Sequence, residues 1–215
     1  MARRFDAVIF DMDGVLADSE PLHNDAVRDL LVEYGLTEID AVLEEFVGTR
    51  DEDMFRALCA RHALRDGAET LTARRTAMTV GRLARGVPPM PGVPEVPAWL
   101  GRQGYPLAVA SSSCPEIIEA TLAALGIRAL FPVVVSSVGL ARGKPAPDVF
   151  LEAATRLGIA PGRCLVVEDS RAGLLAAKAA GMSCAAVPCA FTRHLDFSAA
   201  HWRLDSLTAL PALFG

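Results

Sequence analysis

The stretch Ala7-Val8-Ile9-Phe10-Asp11-Met12-Asp13-Gly14-Val15 decides the reading of this chain. A short apolar run with two β-branched residues gives way at once to two acids and a glycine. That is how a strand buried on both faces reads where it ends in a tight turn. Comparable runs recur at Pro106 to Ala110, Pro132 to Ser137, Cys164 to Glu168 and Ser183 to Pro188. Between the later runs lie helical stretches whose ends are legible: Pro115 to Leu125 stops at Gly126, Pro147 to Leu157 at Gly158, and Arg171 to Ala180 at Gly181. This βαβαβ rhythm predicts an α/β fold with a Rossmann-like parallel sheet.

One interval breaks the rhythm. Between the first strand and the second, the chain from Glu20 to Leu83 has helical periodicity only: Leu22 to Tyr34 ending at Gly35, Ala41 to Val47 ending at Gly48, Glu52 to His62, and Glu69 to Ala84 ending at Gly86. The turn-rich Gly86-Val87-Pro88-Pro89-Met90-Pro91-Gly92 marks the return to the sheet. The pattern predicts a small all-helical domain over 17–88, inserted into a core made of 1–16 and 89–215.

Composition bounds the partners. At 215 residues and 52% hydrophobic, the chain can bury a substantial core, and a net charge of −5 gives no long-range attraction for nucleic acid or an anionic membrane. Asp6 and Asp11 interrupt the apolar run that a signal peptide would need, and no uncharged stretch approaches the roughly 20 residues of a membrane span. Cys59, Cys114, Cys164, Cys184 and Cys189 are scattered, without the paired spacings of a zinc site or a disulfide framework. They read as small apolar residues of a reduced cytoplasm. The expectation is a cytoplasmic monomer acting on a small molecule.

In open parallel sheets ligands bind beyond the carboxyl ends of the strands. The residues there are Asp11 and Asp13 after the first strand, Ser111, Ser112 and Ser113 after the second, and Glu168 and Asp169 at the end of the fourth; Lys144 lies in the connection after the third. These types suit phosphoryl transfer, which needs a cation, donors for phosphate oxygens and an in-line nucleophile. Asp11, Asp169 and Glu168 are hard oxygen ligands of the kind that suits Mg2+. Asp11 is the expected nucleophile and Asp13 the proton carrier, which would have to be protonated when substrate binds. Ser113-Cys114-Pro115-Glu116 reads as a capping box with Ser113 as the cap, leaving Ser111 and the backbone N–H of Ser112 for phosphate. Arg74, Arg75, Arg82 and Arg85 read as a solvated basic helix face.

Four segments, DMDGV at Asp11, VASSS ending in Ser113, GKPAPD at Lys144 and VVEDS at Glu168-Asp169, resemble the four motifs of the haloacid dehalogenase superfamily in order and spacing. Asp18-Ser19-Glu20-Pro21-Leu22-His23 is similar to its beta-phosphoglucomutase-like and phosphoglycolate-phosphatase-like branch, which carries a helical cap. The resemblance implies Mg2+ held by Asp11, the Asp13 carbonyl and Asp169, phosphate held by Ser111 and Lys144, and a small organic phosphate as substrate, such as a sugar phosphate. The second acid, Asp13, sets the chain apart from the metal-free dehalogenases. Val47-Gly48-Thr49-Arg50 resembles the cap loop that presents an arginine to substrate, and His23 stands where the mutases carry a histidine near the hinge. Ala73-Arg74-Arg75-Thr76 has no lysine where beta-phosphoglucomutases carry one, which favours a phosphatase over a phosphosugar mutase. A non-catalytic binding module is the third alternative, opposed by the intact Asp11, Asp13, Lys144 and Asp169.

Overall fold

The computed structural model describes residues 3–46 and 51–215. Val47 to Arg50, including the arginine expected to meet substrate, lie outside the described residues. The chain divides into two compact units, Met1–Ser19 with Gly86–Gly215, and Glu20–Arg85.

The larger unit is built on a parallel sheet of β1 (Ala7–Phe10), β2 (Leu107–Ser111), β3 (Val133–Ser136), β4 (Cys164–Glu168), β5 (Ser183–Ala186) and the two-residue β6 (Trp202–Arg203), in the order β3-β2-β1-β4-β5-β6. Every residue of β1, β2 and β4 is buried, which is why these strands read as unbroken apolar runs instead of alternating ones. The order runs outward from β1 to β3 on one side and from β4 to β6 on the other. The carboxyl ends of β1 and β4 therefore meet where the winding reverses, the crevice in which such sheets bind ligands.

The smaller unit contains α1 (Glu20–Glu33), α2 (Ile39–Glu45), α3 (Asp51–His62) and α4 (Ala68–Leu83). Val27, Leu30, Leu31, Phe55, Leu58 and Leu71 form its apolar centre. In α4 the buried positions are Leu71, Arg75, Thr79 and Leu83, one stripe at four-residue spacing with two polar members in its middle. The expected solvated basic face is thus corrected for Arg75, which is 8% exposed, and for Arg82, which is half-buried and pairs with Asp29, while Arg85 is exposed as expected. An arginine can bury its apolar stem, which a reading by charge alone overlooks.

Around the sheet lie α5 (Glu95–Arg102), α6 (Pro115–Ala124), α7 (Asp148–Leu157) and α8 (Arg171–Ala179). Gly158 closes α7 in the left-handed conformation at φ 70°, as the glycine stop predicts. Helix α5 and strand β6 have no counterpart in the sequence reading. The first carries Pro97 inside a short segment, and the second is too short to show a period.

Candidate active site

Register sets the centre of the site. Phe10 stands opposite Val109 of β2 and Val167 of β4, so the next residue on each strand, Asp11, Ala110 and Glu168, reaches the same edge. The Asp11 N–H donates to the Val167 carbonyl at 2.9 Å and fixes its backbone in the sheet. Lys144 enters from a turn closed by the Ala146 N–H on the Gly143 carbonyl. Its Nζ donates to Asp11 Oδ1 at 2.5 Å, Glu168 Oε1 at 2.7 Å and the Ala110 carbonyl at 3.3 Å.

Asp11, Glu168 and Asp169 are buried, and one oxygen from each lies within 4.8 Å of the others. Three carboxylates thus share a dry space with one ammonium. Burial pushes the Asp11 carboxyl well above its ordinary value; Lys144 opposes the rise, while Glu168, Asp169 and Asp13 add to it. Asp169 is pushed up to about 7, by burial first and the Glu168 charge second. For Lys144 burial works against the charge, but Asp11 and Glu168 outweigh it and hold the ammonium above its usual range. Three buried carboxyl groups with one lysine among the described residues form an all-oxygen donor set that fits a hard divalent cation.

Two glycines make room for these acids. A Cβ on Gly14, which has φ +78°, would stand 2.4 Å from Asp169 Oδ2, and one on Gly173 would stand 1.6 Å from Glu168 Oε1. The Glu168 side chain lies folded over the start of α8, where its Oε2 also accepts the Ser170 N–H at 2.6 Å.

Asp13 sits among hydroxyls. Ser19 donates to its Oδ1 at 2.5 Å and Ser113 to its Oδ2 at 2.8 Å, with Ser111 at 3.5 Å. This corrects the role expected of Ser113: Cys114 is the residue that caps α6, without a side-chain bond, and the Ser113 hydroxyl is spent on Asp13. The Ser113 N–H in turn donates to the Ser111 hydroxyl at 3.0 Å. Ser111 is fully buried at the end of β2, while Ser112 is exposed. The run of three serines therefore splits into a buried member, an exposed one and a partner for Asp13. Their near-identical chemistry hid this division from the sequence. Ser19 was missed for a simpler reason, since nothing in its spacing from Asp13 marks it as a partner.

His23 lies in the helical unit, buried on α1. Arg75 pairs its guanidinium with His23 Nδ1 at 2.7 Å and with Asp51 Oδ2 at 2.9 Å. Since arginine only donates, Nδ1 must accept, and the ring hydrogen sits on Nε2.

A parallel α/β sheet with buried acids, a lysine and hydroxyls gathered at its switch point defines a phosphate-handling hydrolase of the Rossmann-like kind. The family model described as haloacid dehalogenase-like hydrolase matches residues 5–181. The chain belongs to this family. Among curated relatives, it is 37% identical to fructose-1-phosphate phosphatase YqaB of Escherichia coli K12, over 85% of this chain and 96% of that one. It is 33% identical to hexitol phosphatase B of the same organism, over 98% and 96%. Among solved structures, a mutant of CbbY from Rhodobacter sphaeroides in complex with xylulose-(1,5)bisphosphate superposes with a TM-score of 0.86 at 30% identity, covering 98% of this chain and 99% of that one.

Proposed function

We propose that the protein is a magnesium-dependent phosphatase that hydrolyses a small sugar or polyol phosphate through a phosphoryl group carried on Asp11. The observation that carries this reading is the buried excess of carboxylates at the switch point, with Asp11 held by Lys144 and Asp13 held by serine hydroxyls. A fructose-1-phosphate phosphatase, a hexitol phosphatase and a CbbY mutant in complex with xylulose-(1,5)bisphosphate, all similar to this chain, support the substrate class.

An Asp11 carboxylate oxygen attacks phosphorus, and the ester P–O bond breaks as the new one forms. Asp13 gives its proton to the departing alkoxide. It then takes a proton from the water that attacks the acyl phosphate, which releases inorganic phosphate and restores Asp11. Serine hydroxyls can donate to a carboxylate and accept from a carboxylic acid, so Ser19 and Ser113 hold Asp13 in both states. Ser111, Ser112 and Lys144 serve the phosphate oxygens. Asp11, the Asp13 carbonyl, Glu168 and Asp169 would hold Mg2+, which would supply the positive charge that lets an anionic nucleophile approach an anionic substrate. The helical unit is assigned the choice of substrate, as in the capped branch of the family that Asp18 to His23 resemble.

The test is phosphate release from a panel of ketose, aldose and polyol phosphates with and without Mg2+. Wild type is expected to turn over several of them only with Mg2+, and Asp11→Asn to fall by on the order of 10⁴-fold or more. A panel on which wild type and Asp11→Asn are equally inert sinks the reading. Accumulation of an isomeric sugar phosphate in place of free sugar would instead assign the chain as a mutase.

A further inference from the structure

Past β5 the chain makes a turn from Cys189 to Thr192, in which the Thr192 and Arg193 N–H groups donate to the Cys189 carbonyl at 3.2 and 3.0 Å. The first and last side chains of this turn point at one atom. Cys189 Sγ and Thr192 Oγ1 each donate to Asp169 Oδ2 at 3.2 Å. The Thr192 hydroxyl already accepts the Cys189 N–H at 3.1 Å, so its own hydrogen is left for an acceptor. The carboxylate oxygen at 3.2 Å is nearer and more negative than Cys189 Sγ at 3.5 Å. Gly14 closes the remaining side: its missing Cβ would fall 2.4 Å from Asp169 Oδ2 and 3.3 Å from Cys189 Sγ. A thiol, a hydroxyl and a bare glycine face therefore fix a single oxygen of a buried carboxylate.

We propose that Cys189 and Thr192 are positioning residues that hold the Asp169 carboxylate in the orientation from which it binds a divalent cation. The inference rests on Asp169 being a metal-binding carboxylate, as argued under the proposed function. Cys189 is itself buried and its thiol faces a carboxylate oxygen; it acts as a donor and not as a nucleophile. Groups that orient a metal ligand from behind commonly matter about ten- to a hundredfold in metal affinity.

Mn2+ is the probe, and its binding to the full chain without substrate is followed by the electron paramagnetic resonance of the free ion. Cys189→Ala and Thr192→Val are each expected to weaken binding about tenfold, with Cys189→Ser, which restores a donor, recovering most of the loss. The metal-free thermal midpoints should stay near wild type, which a general packing defect would not allow. Variants that bind Mn2+ as wild type does overturn the positioning role. Should Cys189→Ala fail to fold, Thr192→Val against Thr192→Ser decides: weak binding in the valine variant alone supports the role, and equal binding in both overturns it. A wild type that binds no Mn2+ overturns the metal reading itself, a result distinct from variants that match a binding wild type.

Discussion

The two units each bury a charged cluster, and the clusters differ in balance. In the sheet unit, Asp11, Glu168 and Asp169 share one lysine, and the side chains of Lys144 and Glu168 are 6% and 1% exposed. In the helical unit, Arg75 faces one aspartate and one histidine nitrogen, and the aspartate keeps a third of its side chain in water. The second cluster nearly satisfies itself. Among the described residues the first gives three buried acids a single lysine, an imbalance that no folding requirement explains and that a bound cation would relieve. Buried imbalance, more than buried charge, marks the site.

Removing the lysine should break this contrast most severely. Lys144→Met leaves three carboxylates without a counter-charge and is expected to cost about 3–5 kcal/mol of stability, together with all activity. Thermal unfolding checks it, and added Mg2+ should raise the midpoint of the variant more than that of wild type. Equal stability of variant and wild type would mean that Lys144 does not serve these acids as counter-charge.

A milder test uses pH on metal-free protein. Asp169 titrates near 7 in the folded state against an ordinary value of 3.8, and Asp11 is shifted in the same direction. Below about pH 4 the folded and unfolded chains are both protonated at these groups, so they contribute no difference. Between about pH 4 and 7 the unfolded chain gives up protons that the folded chain keeps. These acids therefore make stability fall as pH rises across that window, and the fall ends above about 7 for Asp169. Chemical denaturation in chelator against Mg2+ measures it, with Mg2+ flattening the slope.

The smallest effect belongs to the balanced cluster. Arg75→Met keeps the apolar stem in the α4 stripe and frees an aspartate that water can reach, so a loss of about 2 kcal/mol is expected. A loss as large as that of Lys144→Met would erase the distinction between the two clusters.

Much of this was legible in the chain. The strands at Ala7 and Cys164 stand where the apolar runs stand, because strands buried on both faces leave no room for polar residues. Asp11, Glu168 and Asp169 were legible because each ends or directly follows a strand, and register carries that adjacency straight into space; Lys144, in the connection after β3, was legible from its GKPAPD segment. What stayed hidden depended on side-chain direction. Ser113 reads as a cap but turns toward Asp13, Arg75 reads as solvated but fills the stripe of α4, and Cys189 reads as inert filler but faces Asp169. One-dimensional spacing does not record which way a loop residue points.

The central claim is that Asp11 carries the phosphoryl group. Borohydride added during turnover reduces an acyl phosphate to the alcohol, which would convert residue 11 to homoserine, readable by peptide mass spectrometry. Wild type with Mg2+ and a hydrolysed sugar phosphate is expected to show homoserine at position 11, and none without Mg2+. Steady turnover with residue 11 unmodified, or with the modification on another carboxylate, would contradict the account.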